Sequence, residues 1–333
     1  MTSQPAGTRV EPRCDLTFED VLAARERIGP YLGRTPTVRT PALDEALGCE
    51  AFVKCENLQP IGAFKVRGGI NLMLSLPEEQ RRRGVVTAST GNHGQSIAYA
   101  ARLAGARAVI HAPAGANPLK VESMHRLGAE VVLEGRDFGE AKLIAEENAR
   151  RRGMLFISSG DEPLLIAGVG TAYLELLEDA PELDLILVPV GGGSGASGAC
   201  LARSGVRPET GVVGVQAANA PAVADSWRRR QVVTYDKADT FADGLATREP
   251  YLMTLGIMLA GLGDFVLVSE EDMREAIRLL ARSLHVIAEG AGAAATAAAI
   301  RFPDMVRGRR VGLMLSGGNL PLDLLREILG PVA

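Results

Sequence analysis

The chain has 333 residues, enough for about two domains at roughly 150 residues each. Hydrophobic residues at 47% and charged residues at 23% are those of an ordinary globular protein, which excludes collagen-like, disordered and supercharged classes. A formal net charge of -4, from 36 Lys and Arg against 40 Asp and Glu, gives no overall pull toward nucleic acid.

The first residues, MTSQPAGTRVEPRCD, lack the apolar stretch of a signal peptide, and the apolar run 291–300 is too short and alanine-rich to cross a bilayer. Neither a membrane nor a nucleic acid is expected as a partner, and the expected setting is the cytoplasm. A helix is predicted over 18–32. Short runs rich in Val, Ile and Leu predict strands at 51–55, 85–89, 108–112, 130–134, 155–158, 185–190, 212–216, 265–269 and 311–316. Further amphipathic helices are predicted over 138–152 and 271–284, the latter opened by Ser269 with Asp272 three residues on, a capping-box start. This alternation predicts an α/β fold of mostly parallel sheets flanked by helices, with too many strands for one small lobe. The arginine triplets at 81–83, 150–152 and 228–230 fall at helix ends or loops, where cations complement helix carbonyls, and mark no polyanion site. Cys14, Cys49, Cys55 and Cys200 suggest no disulfide framework, and with the scattered histidines they suggest no zinc site.

Glycine carries the functional signal. The run Gly191-Gly192-Gly193-Ser194-Gly195 follows the strand at 185–190 and precedes a small-residue helix predicted over 196–203. Glycines let backbone amides approach an anion, and a helix start favours negative charge, so a phosphate is expected there. With no Lys or Arg in the loop and no G-x-x-x-x-G-K-[ST] pattern, a single phosphate monoester fits better than a triphosphate. Gly191, Gly193 and Ala196 also satisfy G-x-G-x-x-A, the mark of a nicotinamide dehydrogenase. That site needs an acid at the end of the next strand, where this chain has Gln216 and then Ala217-Ala218-Asn219. Farther upstream, Lys65 follows Phe64 where a loop enters a helix. A desolvated lysine can lose its proton and serve as a Schiff-base nucleophile or base, although a lysine at a helix start is by itself most often a solvated one.

Six segments in order give the combination its weight: Gly-Ala-Phe-Lys-Val-Arg-Gly at 62–68, Ser-Thr-Gly-Asn-His-Gly at 89–94, Gly-Gly-Gly-Ser-Gly at 191–195, Ala-Asp-Gly at 242–244, Glu-Gly-Ala-Gly at 289–292 and Ser-Gly-Gly-Asn at 316–319. With them the chain resembles the pyridoxal-phosphate enzymes of fold type II, in the serine/threonine dehydratase and serine racemase branch. The resemblance implies a two-lobed fold like that of the tryptophan synthase β chain, each lobe an open, mostly parallel sheet. Residues 1–83 and 162–333 would form the large cofactor-binding domain and 84–161 a small mobile one. It implies pyridoxal 5'-phosphate as cofactor, Lys65 as the lysine that carries it, and Phe64 and Gly244 against its ring. Asn92 would bond the ring oxygen, Ser316 the ring nitrogen, and Gly191, Gly192, Gly193, Ser194 and Gly195 the phosphate. Ser89, Thr90, Gly91, Asn92 and His93 would receive the substrate carboxylate. A hydroxyl such as Ser316 cannot give the ring nitrogen a full proton, which disfavours transamination.

The expected activity is elimination of the β-hydroxyl of L-threonine, L-serine or a similar amino acid, giving a 2-oxo acid and ammonia in a homodimer or larger homo-oligomer. The segments 214–217, 191–195 and 244–248 look like the sub-branch of hydroxyectoine-utilisation dehydratases, so a bulkier hydroxy-amino acid is an alternative substrate. An amino-acid racemase on the same scaffold is a further alternative, and a nicotinamide dehydrogenase a remote one. Ile61 and Ala63 stand where the family often has hydroxyl residues, and Ser194 replaces a loop glycine. Gln216 and Ala222 occupy the places of the acidic ligands in metal-activated members, so no metal site is expected. A C-terminal regulatory domain like that of biosynthetic threonine deaminases is not expected either.

Overall fold

The computed structural model describes residues 5–330. Its strands are β1 (Thr37–Val38), β2 (Glu50–Cys55), β3 (Val85–Ala88), β4 (Ala108–Ala112), β5 (Glu130–Leu133), β6 (Leu155–Ile157), β7 (Leu185–Pro189), β8 (Gly211–Ala217), β9 (Asp264–Val268) and β10 (Arg310–Leu315). They form two sheets, one of six strands in the order β1-β2-β10-β7-β8-β9 and one of four in the order β5-β4-β3-β6. Every pairing is parallel except that of β1 with β2. β2 to β10 fall on the nine expected runs, whereas β1 has no counterpart there because two residues are too short to show a period.

The strands are legible because parallel sheets are covered on both faces and so read as unbroken apolar runs. In the smaller sheet all of Val85–Ala88 and Ala108–Ala112 are buried. One face packs Ile110 against Ile97 and Ala100 of helix Asn92–Leu103. The other packs Val86 and Val109 against Ala145 and Ala149 of helix Phe138–Arg152. The larger sheet is sandwiched in the same way, by Glu270–Leu284 and Gly290–Arg301 on one face and by Pro163–Asp179 and Ser194–Val206 on the other.

Helix ends follow local chemistry. The capping box at Ser269 is present, its hydroxyl accepting from the Asp272 amide at 3.1 Å while its own amide donates to the Asp272 carboxylate at 2.8 Å. The arginine triplets close the helices Glu78–Arg83, Phe138–Arg152 and Ala222–Arg229, the last with Arg230 as its C-cap. The first helix spans Phe18–Ile28 and stops short of the expected residue 32: Gly29 keeps helical φ and ψ and donates to the Arg25 carbonyl at 3.0 Å, but Pro30 has no N–H to carry the hydrogen-bond ladder further.

Placement of β10 builds the crevice. It lies between β2 and β7, with Leu315 opposite Cys55 and Leu313 opposite Leu187. The loops leaving β2, β7 and β10 therefore emerge side by side at the carboxyl edge of the sheet, where open α/β folds bind ligands. Two of them are stitched together: the Phe64 amide donates to the Ser316 carbonyl at 3.0 Å and the Gly318 amide to Gly62 at 2.9 Å. Just inside helix Lys65–Ser75, the buried Arg67 guanidinium grips two carboxylates, Glu56 at 2.7 Å and Glu175 at 2.8 Å. Paired and fully hydrogen-bonded, this buried cation fixes the start of the helix. Farther along, Val66, Ile70 and Met73 share a core with Ile97 and Ile110 of the smaller sheet's layer. Among the described residues no helix is long and apolar enough to cross a membrane, and all four cysteines are unpaired.

Candidate active site

Every residue expected at the site lines one cleft of about 830 Å³ between the two sheets. Lys65 opens its helix there, and its ammonium donates to Ser194 Oγ at 2.6 Å. Solvent reaches part of the side chain through the cleft, yet enclosure of the ammonium lowers its pKa to about 8. The Phe64 ring centroid lies 5.3 Å from the same nitrogen.

The glycine loop is shaped by what surrounds it. A Cβ on Gly191 would come within 2.0 Å of the Gly244 carbonyl oxygen, so the two segments meet backbone to backbone. Gly193 has φ +89, in the left-handed region, and a Cβ there would press on Thr254 and Met258 at 2.9 and 2.8 Å. Thr254 Oγ1 donates to the Gly192 carbonyl at 2.7 Å and pins the loop from behind. The helix begins at Ser194, two residues earlier than the expected 196, so Ser194 and Gly195 belong to its first turn. Its leading amides have no acceptor within the helix and face the cleft with the positive end of the dipole.

Across the cleft, the turn after β3 presents a second helix start. Ser89 Oγ accepts from the amides of Gly91 and Gly94 at 3.1 and 2.8 Å, so its hydroxyl is spent on holding the turn. His93 Nε2 is 2.9 Å from Thr87 Oγ1, and burial pushes its pKa down to about 3, leaving a neutral ring that braces the same turn. Thr90 lines the cleft, and its hydroxyl makes no hydrogen bond among the described residues. Asn92 donates to Glu289 Oε1 at 2.6 Å and accepts from Asn319 Nδ2 at 2.8 Å. Ser316 is buried at the end of β10, its hydroxyl 3.4 Å from the Ala291 carbonyl.

Several cleft residues were given no role from the sequence, although Glu289, Asp243 and Arg248 stand in segments singled out there. Glu289 is buried, which raises its carboxyl pKa, and sits behind Asn92. Its signal is an acid directly ahead of Gly290 and a buried alanine-rich helix. Lys120 pairs with Asp243 and Arg248 with Asp137 (3.3 Å), each pair joining one sheet's layer to the other. Tyr251 lays its ring against Gly192 and shares a 2.7 Å hydrogen bond with Ser159. Nothing local in the sequence marks these pairings, since the partners meet only when the two layers face each other. Gln216, at the doubtful metal position, is buried with its carbonyl oxygen accepting from the Ala224 amide at 3.0 Å. No group of three or more His, Cys, Asp or Glu able to hold a metal occurs among the described residues.

A lysine of lowered pKa beside an arginine-free glycine cradle, at the carboxyl edge of a parallel sheet, defines a pyridoxal-phosphate class of site. The chain belongs to the pyridoxal-phosphate dependent enzyme family, whose model matches residues 28–317. It is 38% identical over 94% of its length to the L-threonine ammonia-lyase of Thermotoga maritima, of which the match covers 78%. To the catabolic L-threonine dehydratase of Escherichia coli K12 it is 33% identical, over 95% of this chain and 96% of that protein. The structure of maize serine racemase superposes with a TM-score of 0.90 at 31% identity, covering 94% of this chain and 96% of that one. The residues present fit the cofactor: at Gly191, Gly192, Gly193 and Gly195 the cradle leaves no comfortable space for a Cβ and so offers backbone to a phosphate, and the amine of Lys65 lies 2.6 Å from Ser194 Oγ within it.

Proposed function

We propose that the protein removes the β-hydroxyl and the amino group of a small hydroxy-amino acid such as L-threonine or L-serine, releasing a 2-oxo acid and ammonia. The observation that carries this reading is the Lys65 amine, lowered to about 8 and hydrogen-bonded to Ser194 at the rim of the phosphate cradle. Lys65 would anchor pyridoxal 5'-phosphate, with Gly191 to Gly195 on its phosphate, Phe64 and Gly244 against its ring, Asn92 at the ring oxygen and Ser316 at the ring nitrogen. When bound, the cofactor supplies an electron sink that makes the substrate Cα–H acidic.

The chain supplies the rest. Backbone amides at the helix start 90–93 hold the substrate carboxylate, as helix N-termini hold anions generally. The neutral Lys65 amine takes the Cα proton, a role its lowered pKa suits near neutral pH. Ser194 Oγ is the neighbour through which that proton passes toward the departing hydroxyl. The layer built on β3 to β6, residues 84–161, is the part that closes, and closure excludes water. Assembly as a homodimer or larger homo-oligomer in the cytoplasm belongs to the same proposal. Its test is simultaneous measurement of ammonia and 2-oxo acid from L-threonine and L-serine. Equal yields of the two products are expected, and a holoenzyme that forms neither overturns the reading.

One observation favours a second reading, racemisation. Thr90 lines the same cleft as Lys65, and its hydroxyl, without a hydrogen bond among the described residues, is available as a proton donor for inversion. Its β-branch restricts the rotamers that aim the hydroxyl, so elimination is favoured.

A further inference from the structure

Four cations besides Lys65 line the cleft, and three are already matched with carboxylates. Lys120 is paired with Asp243, Arg136 with Glu140 at 3.0 Å and Arg248 with Asp137 at 3.3 Å. Lys142 is different: it makes no ion pair and no hydrogen bond among the described residues, and its ammonium rests 5.7 Å from the centroid of the Tyr251 ring. Asp161 feels its charge only from beyond ion-pair distance, and that carboxylate is engaged by the Met253 amide at 2.9 Å. Tyr251 is itself fixed by Ser159, so the aromatic face that supports the ammonium is rigid.

Lys142 is partly buried in the cleft wall, and an ammonium there with no carboxylate beside it is free to pair with an anion that enters the cleft. The substrate α-carboxylate does not complete it, since the amides that would receive that group belong to a different segment, the turn at 89–93. We propose that Lys142 reads a second anionic group on the substrate, and that the preferred substrate is a 3-hydroxy amino acid bearing a distal carboxylate. The proposal rests on the cleft being an amino-acid site and names the substrate class within it. Lys142 is then a specificity-determining residue carried by the first turns of helix Phe138–Arg152, in the layer proposed to close.

The test uses the holoenzyme and two amino acids that have no β-hydroxyl to lose, so binding is read apart from elimination. L-Aspartate and L-alanine are titrated by calorimetry and by the change in cofactor absorbance. Wild type should bind L-aspartate at least tenfold more tightly than L-alanine, Lys142→Met should erase that ratio, and Lys142→Arg should retain most of it. A wild-type ratio near one, or a ratio that survives Lys142→Met, overturns the proposal. So does a Lys142→Met protein that binds pyridoxal 5'-phosphate tenfold more weakly with the aspartate preference intact, since the charge then serves the cofactor phosphate. In a parallel arm, kcat/KM for 3-hydroxyaspartate relative to L-serine should fall at least tenfold in Lys142→Met. An aspartate preference that depends on Lys142 in a protein eliminating no hydroxy-amino acid would sink the elimination reading and leave this assignment standing.

Discussion

Lys65 Nζ lies 2.6 Å from Ser194 Oγ, so the first residue of the helix entered from β2 and the first residue of the helix entered from β7 touch head to head. Both helix starts point partial positive charge at the place where they meet. A cation there is poorly solvated and an anion well received, the condition for a reactive amine beside a bound phosphate.

Replacing Lys65→Ala should cut turnover on the order of a thousand-fold, the scale of a lost positioned general base. Borohydride should fix the cofactor to the wild-type chain and not to the variant, as mass spectrometry of the peptide spanning residue 65 would show. Labelling of a different lysine would overturn the assignment.

The same lysine links pH to stability. Unfolded, its ammonium keeps its proton up to the ordinary value of 10.5, whereas folded it does so only up to about 8. The unfolded chain therefore binds more protons between those values, and the cofactor-free protein gains stability as pH rises through that window. Below it the burial penalty is present in full. Lys65→Met removes the penalty, so the variant should melt a few degrees above wild type at about pH 7, with the gap closing toward about pH 10. A gap that does not change with pH would refute the lowered pKa.

Gly191→Ala should weaken cofactor binding at least tenfold, because its Cβ would sit 2.0 Å from the Gly244 carbonyl and neither backbone segment can yield cheaply. Gly33→Ala, which meets nothing within 4 Å, is the control and should bind the cofactor as wild type does. Fluorescence titration of the cofactor-free proteins separates the two.

At Thr90 the prediction concerns outcome rather than rate. Thr90→Ser frees the hydroxyl from its β-branch and should raise inversion of L-serine relative to ammonia release several-fold, read by chiral chromatography of partly converted mixtures. An unchanged ratio would remove Thr90 from any role at the second face of Cα.

Chelation should leave the rate and Tm nearly unchanged, since Gln216 spends its carbonyl oxygen on the Ala224 amide and Ala222 offers no ligand. Loss of either, restored by magnesium or calcium, would reveal carbonyl or substitute ligands elsewhere.

What could be read before the fold was known divides along a physical line. β3 and β4 were legible because burial on both faces demands continuous apolar runs, and Gly191 to Gly195 because close backbone approach demands glycine. β1 was not, since Thr37 and Val38 owe their strand geometry to β2 alone. The motif at 89–94 located the turn but could not tell that Ser89 and His93 would be consumed in bracing it while Thr90 stays free. Glu289, Lys142 and Tyr251 gain meaning only from facing segments far away in the chain, information no local pattern holds.

β10 has one more consequence, for the order in which the molecule can be made. β2 and β7 do not touch; each pairs with β10, the last of the described strands to leave the ribosome. The β3 to β6 sheet draws on consecutive stretches of chain and can assemble early, whereas the larger sheet must wait for a pairing between distant segments, the slow kind of contact in folding. A nascent chain ending before Val311 already contains Lys65 and the glycine loop, yet lacks the strand that sets them side by side. The reactive amine and the glycine loop thus gain their common sheet only once β10 has been made, and a chain stopped before it lacks the strand between them.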